Sequence, residues 1–426
     1  MSRHPFNWPS DLYMELQYMS QASFLSHVFS SLIQVARMEV VEGLAVDPST
    51  GKLFLRTITA EQAAMIVEDN EDILASHKLF PYNANDLKQQ LQSLIATNIA
   101  GSKSLVAWDD ASQKHALSYC ITKDDRDKRL TLVFLDTPSN EAGVGAGDDD
   151  DDDAVVNTDV SVSPLDLAQE IVELPASIVN SAMPVKSIKL HKQLYKHLFE
   201  PKSETESSTS KYDDIFAELK QLSQAYPKFK LYVTGHHTAG ALATICSFFL
   251  ACHVATPKPV SCITFGAPRV GDYDFLQAST ALEGQRFLRI LRVVHQADAV
   301  LHTSSPLLGF SHAGFQIRLG GTAAAAATTT NGDKDETAEP TTTTTKSAAD
   351  SVVVSYPKLM DTCWNRFTRS WDNRFWAAWA MKNVDMATYM NTVSECKGEL
   401  QELDVNELYI DQDMVGYEIA PLPVDK

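Results

Sequence analysis

The chain has 426 residues, 44% hydrophobic and 21% charged, the balance of a soluble globular protein with room for one large α/β domain or two smaller ones. Its formal net charge is -19, which argues against nucleic acid and anionic membrane surfaces as partners. No apolar stretch of signal-peptide length follows the first basic residues, and no run of about 18 apolar residues occurs later, so a cytoplasmic protein without a transmembrane segment is expected.

Taken in order, residues 11 to 100 read as helical. "FLSHVFSSLIQVARM" and "NDLKQQLQSLIATNI" place apolar residues at three-to-four spacing, and residues 1–103 are expected to form a helical region packing on a main domain over 104–426. "SLVAWDD", "HALSYCITKD" and "RLTLVFLDT" are short β-type runs separated by Asp/Lys turns, as in a meander leading into a sheet.

From about residue 138 to 187 the composition shifts to Gly, Asp and Ser, and the run Asp148 to Asp153 predicts a solvated flexible insertion. Within it, "SPLDLAQEIVEL" has Ser163 as N-cap, Pro164 at the first helical position and Asp166 as capping-box acid, which predicts a short amphipathic helix. A second low-complexity tract, rich in Ala and Thr, spans about 320–350 and reads as disordered.

Between the two tracts, "YDDIFAELKQLSQAYPK" puts Ile215, Leu219 and Leu222 on one helix face. A strand from Phe229 to Thr234, a tight turn and an apolar helix through Leu250 follow. "PVSCITFGAPRVGD" supplies another strand, and "RFLRILRVVHQADAV" a third that ends at Asp298. This alternation implies an α/β fold with a mostly parallel sheet and helices on both faces.

The turn "TGHHTAG" has the small flanks of a nucleophile elbow, whose GxSxG pattern lets strand and helix close around a strained central residue. Gly235, Ala239 and Gly240 keep the small side chains, but the central position is His237. "VTGHHTAGALAT" resembles the GHSLGGALA signature of the class 3, or fungal-type, lipases, and "TFGAPRVGDYDF", "RVVHQADAVLH", "GFSHAG", "LHKQLYKHLF" and "LTLVFLDT" resemble further family segments in the family's order. The resemblance spans roughly Ser104 to Gly314 and implies an α/β-hydrolase fold and carboxylester hydrolysis of acylglycerols or phospholipids.

Carried over residue by residue, the resemblance puts the nucleophile at His237, the triad acid at Asp298 and the triad histidine at Val384, in "NVDMATYM". Two of the three chemical groups are therefore missing. The oxyanion-hole strand reads Leu135 and Asp136 where the family has Arg and Gly, although Thr137 keeps its hydroxyl and Thr238 can offer its backbone N–H. All twelve histidines lie at or before His312, and only His302 and His312 follow Asp298, in segments the resemblance treats as structural. Hydrolases of this fold order their triad as serine, acid, histidine. On this reading His237 lacks a partner base, Asp298 lacks a histidine to orient, and the elbow is kept for its shape.

Competing readings of these residues are weaker. Adjacent His236 and His237 with Asp298 could suggest a metal, but consecutive side chains rarely point at one centre, so no metal and no other cofactor is expected. His191, His295 and His312 read as hydrogen-bonding structural residues. The six cysteines, without CxxC or Cys/His spacing, read as buried thiols in a reducing compartment. "WNRFTRSWDNRFWAAWA" places Trp364, Phe367, Trp371, Phe375 and Trp379 near one helical stripe, either a core-packed helix or one that docks on lipid or a protein partner. The expectation is a lipase-like protein, inactive in serine hydrolysis, that binds an acyl lipid or a partner; a weak or unconventional carboxylester hydrolase is the alternative.

Overall fold

A computed structural model describes residues 11–24, 103–109, 118–135, 171–175, 185–201, 209–253, 255–295, 298, 309–320, 352–355, 384–403 and 408. The core element is an eight-stranded sheet in the order β1-β2-β3-β6-β7-β8-β9-β10. Strands β1 (Lys103–Asp109), β2 (Ser118–Asp124) and β3 (Arg129–Leu135) form the antiparallel meander read from the sequence. From β3 the sheet turns parallel through β6 (Lys230–His236), β7 (Val260–Phe265), β8 (Leu288–His295) and β9 (Phe315–Leu319), and closes with antiparallel β10 (Val352–Ser355). The central strands are buried throughout, because a parallel strand covered on both faces reads as a continuous apolar run.

Helices cover both faces, as the α/β-hydrolase expectation required. Residues 12–24 form helix α1. After β5 (Ser187–His191) come α2 (Lys192–Phe199) and α3 (Lys211–Ala225), then α4 (His237–Cys252) and α5 (Tyr273–Gly284). Helix α3 starts where Ser210 and Asp213 bond reciprocally, the side chain of each accepting the other's backbone N–H. Helix α4 is buried at every residue from Ala239 to Ala251, lying between the sheet and the aromatic group of Phe199, Tyr212 and Phe249. Such a helix has no polar face to show, which explains its mostly apolar sequence, and Thr244 turns its hydroxyl back to the Gly240 carbonyl.

The opposite face carries α1 and two C-terminal helices, α6 (Met386–Glu395) and α7 (Lys397–Glu402). Helix α1 buries Leu12, Leu16 and Met19, and its Glu15 carboxylate accepts two hydrogen bonds from the Arg289 guanidinium of β8, at 2.8 and 2.9 Å. Both side chains are fully enclosed, so the bidentate pairing is what makes an arginine tolerable near the start of a core strand. The rest of the expected N-terminal helical region, residues 25–102, lies outside the described residues.

One element differs from its sequence reading. Residues Ile171–Pro175, the end of the amphipathic helix expected from Ser163, form strand β4, paired antiparallel with β5. Its side chains alternate: Val172 and Leu174 pack against the core, while Ile171, Glu173 and Pro175 face outward. A period of two and a β-branched pair suit a strand, and cross-strand pairing with Ser187–His191 decides the conformation of these five residues. Residues 163–170, the Asp run, the tract over 321–350 and the tryptophan-rich stretch 364–379 lie outside the described residues.

Candidate functional site

The site is built at the C-terminal end of β6, where the chain turns into α4. His237 opens the helix with φ of 45°, a left-handed backbone that non-glycine residues adopt at a cost and that a nucleophile elbow imposes on its apex. The turn is closed by contacts that leave no room for side chains. A Cβ on Gly235 would lie 2.5 Å from the carbonyl carbon and oxygen of Ala239, and one on Gly240 would lie 2.9 Å from the Cβ of Ala267. Gly235 and Gly240 therefore have no space for a side chain, and Ala239 is buried between them.

Asp298 sits below the apex, fully buried. Its Oδ2 is 3.1 Å from Nε2 of His237, and it also accepts a 2.6 Å hydrogen bond from the hydroxyl of Tyr389 on α6. The acid therefore does have an imidazole partner, supplied by the apex itself. This corrects the expectation that Asp298 has no histidine to orient and that His237 has no partner. The physical reason is reach: an imidazole is long enough to span from the apex to the acid, where a serine would need an intervening histidine.

Val384 stands just before α6, 7% exposed, and its contribution is a backbone atom. Its carbonyl oxygen is 2.9 Å from Nε2 of His236, whose ring stacks on that of His237 with centroids 3.7 Å apart. The two neighbouring imidazoles thus turn their Nε2 atoms to different acceptors, one to a main-chain carbonyl and one to a carboxylate. Asp385 caps α6 by accepting from the Thr388 N–H at 2.7 Å, which fixes the helix whose fourth residue is Tyr389.

Tyr389 is the residue that sequence reasoning passed over. Its hydroxyl donates to Asp298 and accepts the backbone N–H of His295 at 3.1 Å, so it ties α6 to the end of β8. Burial, reinforced by the nearby Asp298 charge, holds its phenol well above the ordinary range, so it stays a neutral donor. The signal was present in "NVDMATYM", five residues after Val384. Gly266 was missed as well: it has φ of 60°, and a Cβ there would meet Asp298 Oδ2 at 2.4 Å and His237 Cδ2 at 2.8 Å.

Of the oxyanion-hole candidates, Thr238 is the second residue of α4, so its N–H is among the first-turn donors that no helical carbonyl accepts. Leu135 ends β3, buried; Asp136 and Thr137 lie outside the described residues. His302 does too. His191 is fully buried, stacks on Phe310, and has no hydrogen-bond partner at either ring nitrogen among the described residues, contrary to the hydrogen-bonding role expected of it. Burial lowers its pKa to about 4, so it packs as a neutral ring. Cys246, Cys252 and Cys262 are free thiols, and burial pushes that of Cys262 up to about 12. Among the described residues no helix is long and apolar enough to cross a membrane.

Comparison with known proteins places these features. Residues 160–307 match the family model Lipase (class 3). Phospholipase A1-II 1 of Oryza sativa subsp. indica is 32% identical over 123 residues, 28% of this chain and 30% of that protein. A lipase of Rhizopus niveus is 32% identical over 108 residues, 24% of this chain and 26% of that one. The chain thus matches under a third of the length of these relatives. The solved structure of lipase II from Rhizopus niveus shares 19% identity at a TM-score of 0.37, covering 53% of this chain and 69% of the other.

Proposed function

We propose that this chain, a member of the class 3 lipase-like family through residues 160–307, has given up serine hydrolysis and acts by binding an acyl lipid or a lipid-linked partner at its elbow. The observation that carries this reading is the 3.1 Å contact between His237 and Asp298: the apex side chain is turned down onto the acid, and no hydroxyl stands there to be acylated. Loss of the nucleophile from a serine triad costs about 10⁶ in kcat, and loss of the histidine as well adds little because the residues act as a unit. The turn around this substituted apex is nevertheless close-packed, which supports retention of a shaped site. The names of the relatives, a phospholipase A1 and a lipase, suggest phospholipid or acylglycerol as the lipid class. A protein partner docking on the stretch from Trp364 to Trp379, and a reducing cytoplasmic setting for the buried thiols, belong to the same proposal.

The test uses the purified full chain. A fluorophosphonate probe should leave it unlabelled, and native mass spectrometry after incubation with phosphatidylcholine and monoacylglycerol dispersions should show a retained acyl ligand. Covalent labelling that disappears in His237→Ala, or the absence of any retained lipid, would overturn the reading. A weak carboxylester hydrolase is the second reading, and the same contact favours it, because it gives His237 the partner that an isolated imidazole would lack.

A further inference from the structure

We infer that His237 is a general base, whose Nδ1 takes a proton from a water molecule as that water attacks the carbonyl carbon of a carboxylic ester held at the elbow. The inference rests on the proposal that the elbow still receives an acyl ester, and adds a reaction to it. A carboxylate can only accept, so in the neutral ring the bond from His237 Nε2 to Asp298 puts the proton on Nε2 and leaves the lone pair on Nδ1. The ring is held by this bond, by its stack on His236, and by Tyr389, whose hydroxyl donates to the same carboxylate oxygen and so fixes it in place. Its side chain is 15% exposed, enough to meet a substrate, whereas Asp298 is wholly enclosed.

The surroundings suit ester attack. The apex stands at the N-terminus of α4, where the helix dipole and the Thr238 N–H favour negative charge developing on the carbonyl oxygen. In the first step the water oxygen bonds to the carbonyl carbon, one water proton moves to Nδ1, and the carbonyl oxygen takes the negative charge. Collapse of that intermediate breaks the bond to the leaving alkoxide, which takes the proton back from Nδ1. The products are a carboxylic acid and an alcohol, and the imidazole returns to its starting form. No bond to the protein is made, which separates this route from that of a serine elbow. Asp298 and Tyr389 are positioning residues, since they reach the substrate only through His237.

The experiment follows p-nitrophenyl butyrate hydrolysis by the full chain. His237→Asn removes the base while keeping a residue that tolerates positive φ, and His237→Gly serves if the Asn variant does not fold. The expected result is a kcat/KM for the native chain about 100-fold above the variant, the lower end of the roughly 10² to 10⁴ that general-base catalysis supplies. The rate should fall in D2O, and intact-mass spectra under turnover should show no acyl adduct. Asp298→Asn should lower kcat, leave KM, and displace the midpoint of the pH–rate profile, which a purely structural loss would not do. Equal rates for the native chain and the His237 variants, or an acyl adduct on the protein, overturn the inference. Binding of cis-parinaric acid, read by fluorescence, separates the two levels: binding with equal rates removes only the general base, whereas neither binding nor hydrolysis removes the acyl site too.

Discussion

The backbone of the elbow and the side chains that meet at its apex share one site, yet they obey different constraints. Gly235, Gly240 and Gly266 are fixed by contacts in which a single added carbon would overlap neighbouring atoms. The side chains are held more loosely: His237 bonds the Asp298 carboxylate, and Val384 contributes only its carbonyl, to His236. Shape here is enforced by packing density, which tolerates almost nothing, while chemistry is enforced only by selection for turnover.

The comparison breaks most visibly at Gly235. Gly235→Ala sets its Cβ 2.5 Å from backbone atoms of Ala239, which cannot swing aside as a side chain could. The expected loss is about 4 kcal/mol or more, the range reserved for severe core defects, lowering Tm by roughly 8 °C or more in thermal melts. Gly266→Ala comes next, at about 3 to 4 kcal/mol, because it adds a left-handed penalty at φ of 60° to the overlap with Asp298. It should also part His237 from Asp298, visible as a shift of the His237 imidazole resonances in NMR. A melt of Gly235→Ala within 2 °C of the native chain would remove the steric side of the comparison.

How much of this was legible follows the same division. The tight turn after β6, the antiparallel meander and the mostly parallel sheet could be read because glycine spacing and apolar runs report local backbone shape. The pairing of His237 with Asp298 could not be read, since it depends on where two residues 61 positions apart meet and on which way a ring turns. Glu15 with Arg289 is the same case at larger separation: a charged residue in each apolar segment looks like a solvated one until the partner is found. Strand β4 was misread for the opposite reason. A strong local signal, the Ser163–Pro164 cap, was extended through residues whose pairing with β5 decided their conformation.

His191 sharpens the contrast with a histidine of the other kind, held by packing with no hydrogen bond to either ring nitrogen among the described residues. Its pKa is about 4 in the fold, against an unfolded value near 6.5. Between those values the unfolded chain binds more protons, so stability falls as pH drops through that window and is complete above it. The loss reaches about 3 kcal/mol at most, taking about 1.36 kcal/mol per unit. Urea titrations of His191→Leu across pH 4 to 6.5 should show a slope reduced by this amount relative to the native chain, while an unchanged slope would mean that the imidazole is hydrated or paired.

The smallest expected effect is the most informative. His237→Gly removes the side chain at the apex and with it the bond to Asp298, which alone should destabilise by about 1 to 2 kcal/mol for a buried carboxylate keeping another donor, the Tyr389 hydroxyl. The same change relieves the left-handed strain at φ of 45°, worth about 1 to 2 kcal/mol in the opposite direction. The two terms nearly cancel, so the variant should melt within about 1 kcal/mol of the native chain while losing any ester hydrolysis that His237 supports. A strongly destabilised His237→Gly would place the apex imidazole among the packing residues with Gly235 and Gly266. A neutral one keeps it where the geometry puts it, as a side chain that the fold can do without and whose presence must be explained by what it touches.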